Sequence, residues 1–120
     1  MHYMIPRPSE RRTQLLKGVL DMCVLAVLRS GPTYGYGLVT ELERRGVGLV
    51  AEGSVYPLLT RLSNRGLVRS YREPSLTGPT RRYYELTTAG ETALSEATGE
   101  WQGIVAEVNE LLEQSSVDSR

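Results

Sequence analysis

The segment Gly53-Ser-Val-Tyr-Pro-Leu-Leu-Thr-Arg-Leu-Ser-Asn-Arg-Gly66 places the tightest limits on how the chain can fold. Val55, Leu58, Leu59 and Leu62 recur at helical spacing, so they share one face of a helix that ends at Gly66. The same spacing turns Tyr56, Thr60, Arg61 and Asn64 outward. Hydroxyl, amide and guanidinium groups on one exposed face suit phosphates and base edges. Pro57 is expected in the first turn of this helix, where a missing N–H costs little.

The flanking punctuation sets the order of elements. Residues Met1 to Arg12 have two prolines and three arginines but no hydrophobic period, and read as an arm. A first helix is expected from Thr13 or Gln14 to Arg29, apolar on most faces and stopped by Ser30-Gly31-Pro32. Thr33 is expected to cap a second helix, Tyr34 to Arg45, with Leu38, Val39 and Leu42 as its buried stripe and Gly46 past its end. The loop Val47 to Glu52 leads into the third helix. After Gly66, strands are expected at Leu67–Arg72 and Arg82–Leu86 around a loop containing Gly78-Pro79. Thr87 or Thr88 caps the last helix, and Thr88 with Glu91 matches a capping box. The expected fold is mainly α with a small β-hairpin: a winged helix-turn-helix plus a C-terminal dimerisation helix. Its parts are an arm (1–13), the winged domain (14–87), the dimerisation helix (88–114) and a frayed tail (115–120).

A length of 120 residues fits one domain burying roughly two thirds of its unfolded surface. The net charge is zero, yet it is segregated. Up to Arg82 there are 13 basic and 6 acidic residues; from Tyr83 onward 8 acidic residues face Arg120 alone. The first part is therefore suited to approach a polyanion, while the second is a solvated helix turned away from it. Arg11, Arg12 and Lys17 either add nonspecific attraction or are plain solvated charges. Cys23, the single cysteine, has no disulfide partner, and the longest apolar run, Met22 to Leu28, is too short for a membrane helix. The N-terminus lacks a signal-peptide core, so a cytoplasmic protein without a membrane partner is expected.

Three ordered strings carry a resemblance: Tyr34-Gly35-Tyr36-Gly37-Leu38; Gly53-Ser54-Val55-Tyr56-Pro57-Leu58-Leu59 with Arg61-Leu62 and Gly66-Leu67; and Arg81-Arg82-Tyr83-Tyr84-Glu85-Leu86-Thr87 with Gly90. From about Leu15 to Leu112 the chain resembles the PadR family of transcriptional regulators, named for repressors that respond to phenolic acids. With one C-terminal helix it is similar to the family's short branch. The resemblance implies binding of double-stranded DNA, with the third helix in the major groove. Ser54 and Tyr56 would lie near the phosphate backbone, and Thr60 and Arg61 nearer the bases. Arg81 and Arg82 suit a minor groove or phosphates, and Tyr34 and Tyr36 the backbone. A competing reading makes Tyr36 and Tyr84 core rings with wet hydroxyls.

In the last helix Leu94, Ala97, Trp101, Ile104, Val108 and Leu111 recur every three or four residues. Such a seam needs a partner, which points to a homodimer. Trp101 sits where multidrug-responsive members of the family place a tryptophan lining a pore at the dimer centre. Two readings follow: with Met22, the indoles sandwich a planar aromatic or phenolic effector, or Trp101 is dimer-core packing alone. Gly99 and Gly103 either permit close helix approach or leave space beside the indoles. Catalysis finds no support: His2 is the only histidine, Cys23 lacks a base, and no cluster has metal-ligand spacing. No cofactor is implied. A ligand-responsive repressor on an inverted-repeat operator is the expected function. The rival is a dimeric sequestering or partner-binding protein that lacks operator recognition.

Overall fold

A computed structural model describes residues 8–47 and 52–118. His2, the first half of the expected arm and most of the Val47–Glu52 loop lie outside the described residues. The elements run α1 (Pro8–Lys17), α2 (Leu20–Arg29), β1 (Thr33–Tyr34), α3 (Gly35–Arg44), α4 (Glu52–Asn64), β2 (Val68–Ser75), β3 (Gly78–Leu86) and α5 (Thr88–Asp118).

The expected first helix is two. It begins earlier, at Pro8, inside the expected arm, and breaks at Gly18-Val19. There the N–H groups of Gly18 and Val19 donate to the Leu15 and Leu16 carbonyls at 3.3 and 3.0 Å, a tight turn that glycine tolerates at little cost. Leu15 and Leu16 before the break and Val19 and Leu20 after it keep helical spacing across Lys17-Gly18, which is why periodicity does not reveal it. Only α2 is deeply buried, through Val24, Leu25, Val27 and Leu28; Leu15 of α1 is 71% exposed. The Arg12 guanidinium donates to the Gly46 carbonyl and ties α1 to the end of α3.

Leu38, Val39 and Leu42 of α3 and Val55, Leu58, Leu59 and Leu62 of α4 are buried as their spacing requires, joined by Val68, Tyr84 and Leu94. Both α3 and α4 end in Schellman turns. Val47 and Leu67 donate to the carbonyls of Leu42 and Leu62 at 2.8 and 3.0 Å, with Gly46 and Gly66 at φ of 91° and 77°. Because α4 starts at Glu52, Pro57 falls in its second turn, not its first.

The sheet has three antiparallel strands in the order β1-β3-β2, one more than the expected hairpin. Thr33 and Tyr34 pair with Tyr84 and Tyr83. Thr33 is thus a strand residue and not a helix cap; Tyr34 occupies the N-cap position of α3 without a side-chain hydrogen bond. The hairpin strands are longer than expected. The turn is Leu76-Thr77, and Gly78-Pro79 opens β3.

At the start of α5, Thr87 rather than Thr88 is the cap. Its Oγ1 accepts from the Gly90 N–H at 3.0 Å and donates to the Gly66 carbonyl at 2.7 Å. Gly90 therefore stands where a capping box needs a carboxylate, so the Thr88–Glu91 box does not form. A Cβ at Gly90 would collide with the Leu67 carbonyl oxygen, so α5 leaves the wing by an approach only glycine allows. The 31 residues of α5 carry it past the expected end at residue 114.

Candidate nucleic-acid interface

The outward face of α4 is exposed at Ser54, Tyr56, Pro57, Thr60, Arg61 and Asn64. Tyr56 and Arg61 are five positions apart, about 140° around a helix, so they mark opposite edges of that face with Pro57, Thr60 and Asn64 between them. Each edge has its own neighbour.

On the Tyr56 edge, a cleft of about 580 Å³ is lined by Tyr34, Gly35, Tyr36, Tyr56, Arg81, Arg82 and Tyr84. Five of the eight expected DNA-contacting residues meet there. Gly35, the first residue of α3, makes this possible: a Cβ on it would lie 2.5–2.6 Å from the end of the Tyr56 ring. The two readings of the tyrosines divide between them. Tyr36 is 59% exposed, whereas Tyr84 is a core ring.

Sheet register organises the basic side of the cleft. Tyr34, Tyr83 and Tyr71 form one cross-strand row, with ring centroids 5.6 Å apart for Tyr34–Tyr83 and 5.9 Å for Tyr71–Tyr83. The Arg81 guanidinium stacks 4.5 Å above the Tyr34 ring, a cation–π contact that orients it at the cleft wall. Burial and the carboxylates of Glu85 and Glu73 push the Tyr71 hydroxyl up. Arg82 donates to Ser70 Oγ at 2.9 Å and stands directly opposite Arg72. Like charges across a ladder are unfavourable in water, and a polyanion relieves them. Tyr71, Tyr83 and Arg72 were not among the expected site residues. Strand parity carries the signal for the two tyrosines, since Tyr71 and Tyr83 share the face of Arg69 and Arg81, whereas Arg72 lies on the other face and is found only by its register opposite Arg82.

On the other edge, Arg61 turns from the cleft and pairs with Asp21 of α2 at 2.8 Å. Other arginines are also engaged: Arg44 and Arg45 with Glu41, and Arg69 with Glu85. The two arginines hold the Glu41 carboxyl down at about 2.

On the side of Asp21, a groove of about 360 Å³ between α2 and α5 brings together Met22, Ala97, Trp101 and Ile104, with Leu62 and Arg65 from the end of α4 and the carboxylates of Asp21 and Glu100 also in its lining. Leu94 is not part of the exposed seam: at 2% exposure it is consumed by the chain's own core. Trp101, Ile104, Val108, Leu111 and Leu112 are exposed along α5. Positions Gly99 and Gly103 face open space. Burial pushes the Cys23 thiol up, away from nucleophilic chemistry. Among the described residues there is no group of side chains able to hold a metal, and no helix long and apolar enough to cross a membrane.

Three core helices, a wing, and a tyrosine–arginine cleft beside the exposed face of the third core helix define a winged helix-turn-helix DNA-binding protein. Comparison with known proteins narrows this. Residues 24–96 match the transcriptional regulator PadR-like family. A PadR-like transcriptional regulator from Bacillus cereus is 40% identical, with 82% of this chain and 96% of that chain covered and a TM-score of 0.74. A PadR family regulator from Eggerthella lenta is 35% identical over 88% of this chain and 91% of that one, with a TM-score of 0.81. A protein of Lysinibacillus sphaericus is 29% identical over 104 residues, covering 85% of this chain and 92% of its own. The chain belongs to the PadR-like family, whose members are DNA-binding transcriptional regulators and not enzymes.

Proposed function

We propose that the chain is a ligand-responsive repressor of the family's short, single-C-terminal-helix branch, acting in the cytoplasm as a homodimer on an inverted-repeat operator. The observation that carries this reading is the cleft that gathers Tyr34, Tyr36, Tyr56, Arg81 and Arg82 beside the open face of α4. In this reading Thr60 and Asn64 face bases from the middle of α4. Ser54, Tyr56, Tyr34 and Tyr36 donate to phosphates, and Arg81 and Arg82 hold the backbone beside the wing. Dimerisation covers the exposed α5 stripe of Trp101, Ile104, Val108 and Leu111 with Ala97 at its edge, and sets the two α4 helices about one helical turn of DNA apart. An aromatic or phenolic effector between Trp101 and Met22 shifts the spacing of those helices and so the DNA affinity.

A gel-shift salt titration on the chain's own upstream DNA tests the reading. Arg82→Ala is expected to weaken binding evenly across sequences and to flatten the dependence of log K on log salt by about 0.9. An unchanged slope and affinity for both Arg81→Ala and Arg82→Ala would remove the cleft from the interface.

A further inference from the structure

Arg61, expected together with Thr60 nearer the bases, is held elsewhere. Its guanidinium donates to Asp21 Oδ1 at 2.8 Å, linking the recognition helix to the first turn of α2 across forty positions of sequence. The two side chains are 53% and 38% exposed, so the bond is open to competition from solvent and from phosphate. Arg61 also stands at the edge of the outward face of α4, where the backbone bordering a groove lies, and not in its middle. Asp21 itself lines the groove shared by Met22 and Trp101, placing this ion pair where that groove meets the recognition helix.

We propose that Asp21 is a positioning residue that withholds Arg61 from DNA, and that Arg61, once released, clamps a phosphate. This rests on the DNA-binding reading above. Two physical points favour it. A carboxylate beside a guanidinium cancels the charge a phosphate needs, and an exposed ion pair is weak enough for a phosphate to displace. The pair is therefore a brake on affinity of modest strength, with no structural need for it in the core, where neither residue is buried.

The test is a double-mutant cycle read by salt-dependent DNA binding, with thermal melts to establish that each variant is folded. Asp21→Asn in the otherwise unchanged protein is expected to raise affinity about two- to fivefold, the range an exposed pair can withhold. It should steepen the salt slope by no more than about 0.9, the limit set by one phosphate contact, because phosphate already displaces Asp21 in part of the parent complexes. In the Arg61→Ala background the same substitution is expected to do neither, and Asp21→Glu, which keeps the pair, should behave as the parent does. A gain that persists undiminished with Arg61→Ala would come from lost negative charge alone and would overturn the proposal. So would the absence of any gain while the parent protein binds DNA. If the parent protein bound no DNA at all, the function itself would fall, and this proposal with it.

Discussion

Alanine at Gly35 tests whether the cleft is a built site. The added Cβ would meet Cε1, Cζ and Oη of Tyr56 at 2.5–2.6 Å, closer than carbon atoms tolerate. The obstacle is the far end of a side chain with its own rotamers, so Tyr56 swings aside and the backbone stays. Gly35 is not in the positive-φ region, so alanine fits its conformation and adds helix propensity worth at most about 1 kcal/mol. Stability should therefore change by less than about 1 kcal/mol, a shift of a few degrees in Tm. DNA affinity should fall much further. Losing one hydrogen bond from Tyr56 to a charged phosphate costs about 1.5–3 kcal/mol, at least tenfold in Kd. The same substitution at Gly90 provides the contrast, because its Cβ meets the backbone carbonyl of Leu67, which cannot swing clear. Gly90→Ala should cost about 1–3 kcal/mol of stability. Thermal melts and gel-shifts on both variants separate the effects. A Gly35→Ala protein with undiminished DNA affinity, or one as destabilised as Gly90→Ala, would refute the reasoning.

Replacing Ile104 and Val108, both about half exposed in the single chain, by glutamate should leave the fold intact but give monomers by light scattering; an unchanged dimer would place the interface elsewhere. A planar aromatic guest in the α2–α5 groove should quench Trp101 emission, and Trp101→Ala should abolish the ligand response while keeping operator binding; no quenching across a broad panel of dyes and phenolic acids would leave Trp101 as packing. Because the folded-state pKa of Glu41 is depressed from 4.5 to about 2, its pairing with Arg44 and Arg45 stabilises the fold above pH 4.5 and is lost as pH falls toward 2. The Tm difference between the parent and Glu41→Gln should therefore shrink across that window, and a difference constant with pH would contradict the pairing.

The core was legible in the sequence because helical spacing alone sorts Leu38, Val39 and Leu42, and Val55, Leu58, Leu59 and Leu62, onto buried faces. Glycine stops at Gly46 and Gly66 were legible for the same local reason. What escaped was non-local or compensated. Thr33 and Tyr34 become a strand only because β3 passes beside them, fifty residues away in sequence. The break at Gly18 hides because Leu15, Leu16, Val19 and Leu20 keep helical spacing across it. Leu94 obeys the seam spacing, but the wing and α2 reach it first, so it packs inside its own chain. The cleft residues could be named singly from their chemistry. Their grouping depended on the cross-strand register that aligns Tyr34, Tyr83 and Tyr71, and Arg61 left the group because Asp21, far away in sequence, lies within hydrogen-bonding reach.

Selection of genomic DNA fragments by the purified protein at about physiological salt, followed by sequencing, tests most directly that this fold reads an operator. The expected result is an enriched inverted repeat whose half-sites lie about 10 base pairs apart centre to centre, lost on Arg82→Ala combined with Tyr56→Ala. Fragments retained without a common motif, or retained equally by that double variant, would contradict sequence-specific recognition through the cleft and α4.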